Sequence, residues 1–208
     1  RYMTGTVDVN GLKAIGWNTE TINYFNANAL HYPWENDAYK VTDGNKALYG
    51  VVDISNVVSY YSNPDFIFCP YFDTADSVSM NSVFSDCKSL KSIPLLDTSN
   101  VTDMEYMFKG CSSLQTIPLL DTSKVDNMMR MFEGCKSLQV IPLLDTSNVT
   151  NMESMFYRCT SLQTIPLLDT SKVTNMSDIF NSCRSLRSIP LLDTSKVTSM
   201  YSMFSECN

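Results

Sequence analysis

From Leu90 onward, one order of apolar and polar positions returns every 24 residues. Leu114, Ile117, Leu119 and Leu120 lead into the polar run Asp121-Thr122-Ser123. Val125, Met128, Met131-Phe132 and Cys135 follow, and the cycle restarts at Leu138. Copies begin at Leu90, Leu114, Leu138, Leu162 and Leu186 on the pattern LxxIPLLDTSxVxxMxxMFxxCxS, with Ile179 replacing a Met in one of them. Within a copy, Leu114, Ile117 and Leu119 have an LxxLxL spacing, which predicts a strand with alternate residues turned inward. Leu120, directly after, predicts a bend that lets two consecutive leucines face the core. Val125, Met128, Met131 and Phe132 are spaced almost as on a helix and predict a short helical turn on the outer face. Pro94, Pro118, Pro142, Pro166 and Pro190 each remove a ladder donor in or beside the strand, so the strands are expected to be short.

A fixed period between 20 and 29 residues with this spacing is the signature of leucine-rich repeats. One such unit cannot bury its own apolar face, so neighbours must stack into a quasi-one-dimensional coil. The expected fold class is therefore an α/β repeat, a leucine-rich-repeat solenoid with short parallel strands, plus a small N-terminal capping region. The solenoid is expected over 46–208, with a degenerate unit at 46–65, a divergent unit at 66–89 and five regular units at 90–208. Residues 1–45 differ in composition. Both tryptophans, Trp17 and Trp34, and eight of the eleven tyrosines precede residue 72. Asn18-Thr19-Glu20 reads as a capped helix start, and a second short helix is expected near Asp43–Leu48. The expected role of 1–45 is a cap on the first rung; the alternative for Tyr32, Trp34 and Tyr39 is a stacking platform for a sugar or peptide. At the other end no polar capping unit follows Cys207. An exposed last rung would be an adhesive apolar edge, so continuation of the native chain, coverage by another chain or self-association through that rung is expected.

The string MFxxCxSLxxIPLLDTSxVTxM resembles the repeats of BspA-like leucine-rich-repeat surface proteins over about 66–208, and more weakly over 46–65. The resemblance implies an exported or cell-surface protein, of bacterial, protist or virion origin, with an adhesive role towards a protein or glycan on a host or neighbouring surface. It implies no particular ligand. The compact IPLLD segment and the first 45 residues depart from commoner family units.

Charge and candidate chemistry narrow the choice of function. The net charge of −7 with no run of Lys or Arg argues against a nucleic-acid binder, which needs a basic stripe, and against docking on anionic lipid. No apolar stretch reaches the roughly 20 residues that cross a bilayer. Cys87, Cys111, Cys135, Cys159, Cys183 and Cys207 share one repeat position and read as buried free thiols, with a disulfide set as the alternative; Cys69 stands apart. A zinc site is not expected, since His31 is the single histidine and no CxxC occurs. The column Asp97, Asp121, Asp145, Asp169, Asp193, with Asp73, reads as a series of Asx-turns. A calcium strip is its alternative. No nucleophile–base pair can be assembled, so neither catalytic residues, cofactor nor enzymatic activity is expected.

The strand face is monotonous, whereas variety lies across the opposite turns. Tyr106, Arg130, Tyr157 and Arg158 are of types enriched in binding hot spots and form the candidate binding patch; free drift of solvent-exposed positions is the alternative. The expected function is a non-catalytic adhesion module recognising a protein or glycan, with an architectural spacer, or a virion-surface adhesion component that projects another domain, as the second reading.

Overall fold

The computed structural model describes residues 38–43, 46–51, 74, 77–93 and 95–207. Tyr32, Trp34, Cys69, Asp73 and the helix expected after Asn18 lie outside them. Strands β1 (Ala38–Asp43) and β2 (Lys46–Val51) pair antiparallel, from Ala38 opposite Val51 to Asp43 opposite Lys46. This hairpin corrects the short helix expected near Asp43–Leu48. Val41, Thr42 and Tyr49 are strand-favouring residues, and the register leaves only Gly44-Asn45 between the paired ends, a length and composition suited to a hairpin. The hairpin carries Tyr39 and spans position 45/46, where cap and solenoid are expected to meet.

Between Ser77 and Cys207 the chain is a repeat solenoid with one rung per 24 residues. Single-residue parallel bridges link Ser79, Asp103, Asn127, Asn151, Asn175 and Ser199 in series. Phe84, Phe108, Phe132, Phe156, Phe180 and Phe204 stack ring on ring, with centroids 5.5–5.8 Å apart and planes within 13° of parallel. Columns of Met, Val, Leu, Ile and Cys surround this stack and are buried with it.

The short parallel strands are not formed at the leucine segment, and only one of the paired leucines points inward. Leu114, Ile117 and Leu120 are buried, whereas Leu119 is 62% exposed. The inward spacing is thus three, three, as on a polyproline II path, and Pro118 has the φ that such a path requires. Backbone bonds between rungs on this side are sparse; Ser113 and Gln115 N–H donate to the Lys88 and Lys91 carbonyls at 3.1 and 3.0 Å.

The opposite side is a ribbon of turns and not a helical turn. Met131, Glu133 and Cys135 N–H donate to the Met128, Arg130 and Phe132 carbonyls, closing a three-residue step at every second residue. The intervening Met128, Arg130, Phe132 and Gly134 N–H donate to Asn151, Glu153, Met155 and Tyr157 of the next rung. Arg130 and Gly134 have φ of 55° and 74°, and the two matching positions are left-handed in the other rungs as well. Two left-handed residues four positions apart in each rung exclude an α-helix. The apolar spacing looked helical because successive i→i+3 turns also return a side chain to one face every three to four residues.

Side chains complete the stitching between rungs. Thr98, Thr122, Thr146 and Thr170 are buried, and each hydroxyl donates to the carbonyl of the Asp in the next rung at 2.7–2.8 Å. Asn127, Asn151 and Asn175 accept the N–H two residues on at 3.0–3.1 Å. Asn127 and Asn175 Nδ2 also donate back to Glu105 and Glu153 of the preceding rung. Each buried polar group in these columns therefore has a partner, as burial demands.

Candidate interaction surfaces

Two columns on the polyproline-like side face solvent next to each other. Leu95, Leu119, Leu143, Leu167 and Leu191 are 51–93% exposed and form an apolar ridge, one residue per rung. Two positions further on stand Asp97, Asp121, Asp145, Asp169 and Asp193, all exposed. Leu96, Leu120, Leu144 and Leu168, between these columns, are 2–3% exposed and anchor both in register. Large apolar side chains in contiguous array on a protein surface mark interaction sites.

Each aspartate makes the expected Asx-turn. Ser99 N–H and Oγ donate to Asp97 Oδ1 at 3.0 and 2.7 Å, and Ser123 does the same to Asp121. Ser147, Ser171 and Ser195 N–H donate to Asp145, Asp169 and Asp193 at 2.9–3.0 Å. These bonds hold the five carboxyls below the usual carboxylate range; the Ser99 hydroxyl is the main cause at Asp97 and the serine N–H at the other four. Lys124, Lys172 and Lys196 follow three residues after an aspartate and add to the lowering at Asp121, Asp169 and Asp193. Lys124 and Lys172 donate to the Asn100 and Asn148 side chains of the preceding rung at 2.9 and 2.7 Å. None of the ion pairs among the described residues involves the five aspartates.

The aromatic and basic residues of the candidate patch lie on the turn ribbon in two separate pairs. Arg130 sits over the Tyr106 ring at 5.9 Å, with Lys109 over the same ring at 5.2 Å. Arg130 is further held by Glu153 at 3.3 Å and Glu133 at 3.7 Å, so its guanidinium is engaged within the chain. Partial burial pushes the Tyr106 hydroxyl pKa up. Tyr157 and Arg158 pair within one rung, with the guanidinium 4.9 Å from the ring centroid. No ion pair or cation–π contact among the described residues joins one pair to the other.

The buried thiols of the cysteine column are held unreactive. Cys111, Cys135, Cys159 and Cys183 Sγ donate to the Phe84, Phe108, Phe132 and Phe156 carbonyls at 2.9–3.1 Å, and all are free and buried. Burial pushes their pKa values up, to about 12 at Cys183. A protonated thiol is neither a nucleophile nor a metal ligand.

Sequence reasoning placed Leu119 and its equivalents in the core and so missed the ridge. The available signal was that three-residue spacing from Leu114 through Ile117 leaves an inward place for Leu120 alone.

A family model described as "Mycoplasma protein of unknown function, DUF285" matches the chain over residues 45–141, 78–186 and 138–208. No curated protein matches it by sequence. A solved leucine-rich repeat protein of Eubacterium ventriosum is similar at 22% identity and a TM-score of 0.48, over 60% of this chain and 32% of that one. A T. pallidum leucine-rich repeat protein is similar at 23% identity and a TM-score of 0.38, over 54% of this chain and 62% of the other. The chain spans less than two thirds of either protein.

Proposed function

The chain belongs to the DUF285 family, and we propose that its solenoid is a non-catalytic binding module, displayed at a cell or virion surface, that recognises a protein partner through one face. The observation that carries this reading is the ridge from Leu95 to Leu191, held out by a core that keeps the adjoining leucines buried. Scattered exposed leucines need no explanation, but the same residue type exposed at one position of five successive rungs does. The ridge favours a protein over a glycan, because sugars are recognised by aromatic stacking and hydrogen-bonding groups and the ridge offers neither. The non-catalytic part of the reading rests on the state of the nucleophiles. The thiols from Cys111 to Cys183 are buried with raised pKa values, and the threonine and serine hydroxyls of the Asp-Thr-Ser triplets are engaged in inter-rung bonds and turns. Display at a surface rests on the resemblance of the repeat to BspA-like proteins.

Labelled chain applied to intact cells and to extracellular matrix proteins tests the reading. Saturable binding lost in Leu119→Ser/Leu143→Ser/Leu167→Ser is expected. Binding to glycans alone, or no saturable binding to any surface, contradicts it; the latter is the behaviour of an architectural spacer.

A further inference from the structure

We infer that the leucine ridge and the aspartate column together dock a protein segment whose apolar side chains are flanked by Lys or Arg. This rests on the binding reading above and names the partner's chemistry. The two columns run side by side through the same five rungs, with Asp97, Asp121, Asp145, Asp169 and Asp193 two residues from the exposed leucines. A segment lying along the ridge would cover the leucines and meet carboxylates along one margin.

The carboxylates are available for that contact. Each spends one oxygen, Oδ1, on the serine of its own turn, and none of the described ion pairs engages them. Lys124 and Lys172 donate to Asn100 and Asn148 along their own column, and together with Lys196 they reach Asp121, Asp169 and Asp193 only through longer-range charge, without a salt bridge. An arriving Lys or Arg would gain charge-assisted hydrogen bonds, at a margin where leucine packing excludes part of the water. Like charges stacked in one column repel, and a cationic partner relieves that repulsion, so charge complementarity favours such a segment over neutral or acidic ones. The same column disfavours anionic lipid, and the net charge of −7 disfavours a second copy.

Titration of the chain with a synthetic amphipathic peptide, its leucine face flanked by lysines, tests this directly by calorimetry. Controls are the glutamate counterpart and a peptide keeping the lysines with serine for leucine. Expected is binding of the Leu/Lys peptide that falls about tenfold or more in Leu119→Ser/Leu143→Ser/Leu167→Ser. Asp121→Asn/Asp145→Asn/Asp169→Asn should weaken it several-fold and remove most of its salt dependence. All substituted positions are exposed, and unchanged circular dichroism confirms the fold of each variant. Equal binding of the glutamate peptide, binding indifferent to the leucine substitutions, or no binding of any peptide overturns the proposal. So does ridge-dependent sedimentation with phosphatidylcholine vesicles, or ridge-dependent dimerisation of the chain alone. Loss of cell-surface binding in the leucine variant with no effect of the asparagine variant overturns the cationic partner while leaving the protein-binding reading intact.

Discussion

At the scale of the residue, the Asp-Thr-Ser triplet divides three tasks among three side chains. The aspartate shapes its own turn, the buried threonine ties its rung to the next, and the serine satisfies the aspartate. Thr146→Val is isosteric but leaves the Asp169 carbonyl without its donor. It should cost about 1–3 kcal/mol in urea unfolding. The aspartates make stability depend on acid. Their folded pKa values lie below the unfolded value, so their contribution is complete above about pH 4 and is lost as pH falls through the folded pKa values. Melting temperature should therefore drop on acidification below about pH 4, and the drop should be shallower in Asp121→Asn/Asp145→Asn/Asp169→Asn. Backbone handedness gives a third expectation. Arg158 occupies a left-handed position at φ 59°, where Gly134 stands one rung earlier. Arg158→Gly should be more stable than Arg158→Ala by about 1 kcal/mol, since only the alanine retains the strain.

At the scale of the element, the rung alternates a polyproline-like side with a ribbon of turns, and the thiols sit where the ribbon ends. Cys111, Cys135 and Cys159 should resist alkylation in the native protein and react only on unfolding, whereas Cys207, half-exposed on the last described rung, should react earlier; peptide mapping after brief labelling distinguishes them. The column positions were legible in the sequence, because a 24-residue period forces equivalent residues to stack. The Asx-turn and the free thiols followed from chemistry at those positions. The path between columns was not legible. A spacing of Leu114, Ile117, Leu119 fits a strand as well as Leu114, Ile117, Leu120 fits a polyproline path, and the deciding fact is the proline, which removes a donor and presets φ. Likewise Met128, Met131 and Phe132 fit a helix until the left-handed residues at Arg130 and Gly134 interrupt it. Tyr106 and Arg130 were singled out by type alone; Lys109 and Glu133 stand three residues on in the same rungs, but the contacts of Arg130 with Glu153 and with the Tyr106 ring join neighbouring rungs that no local pattern displays.

At the scale of the whole molecule, stability resides in contacts between neighbouring rungs, through the phenylalanine stack and the threonine, asparagine and turn-ribbon bonds. Deletion of one complete unit, residues 138–161, should leave a folded, cooperatively melting solenoid, because Ser137 then joins Leu162 in the same phase. Deletion of half a unit should abolish folding, and circular dichroism separates the two. The ridge has the opposite character, since it adds nothing to the core yet repeats with it. The most direct measurement is therefore a comparison of two adjacent leucines, Leu143→Ser and Leu144→Ser, in both urea unfolding and binding to the Leu/Lys peptide. Leu144→Ser should lose about 3 kcal/mol or more. Leu143→Ser should stay within about 0.5 kcal/mol of the parent while binding the peptide more weakly. A large loss of stability at Leu143, or peptide binding untouched by its substitution, would contradict the account.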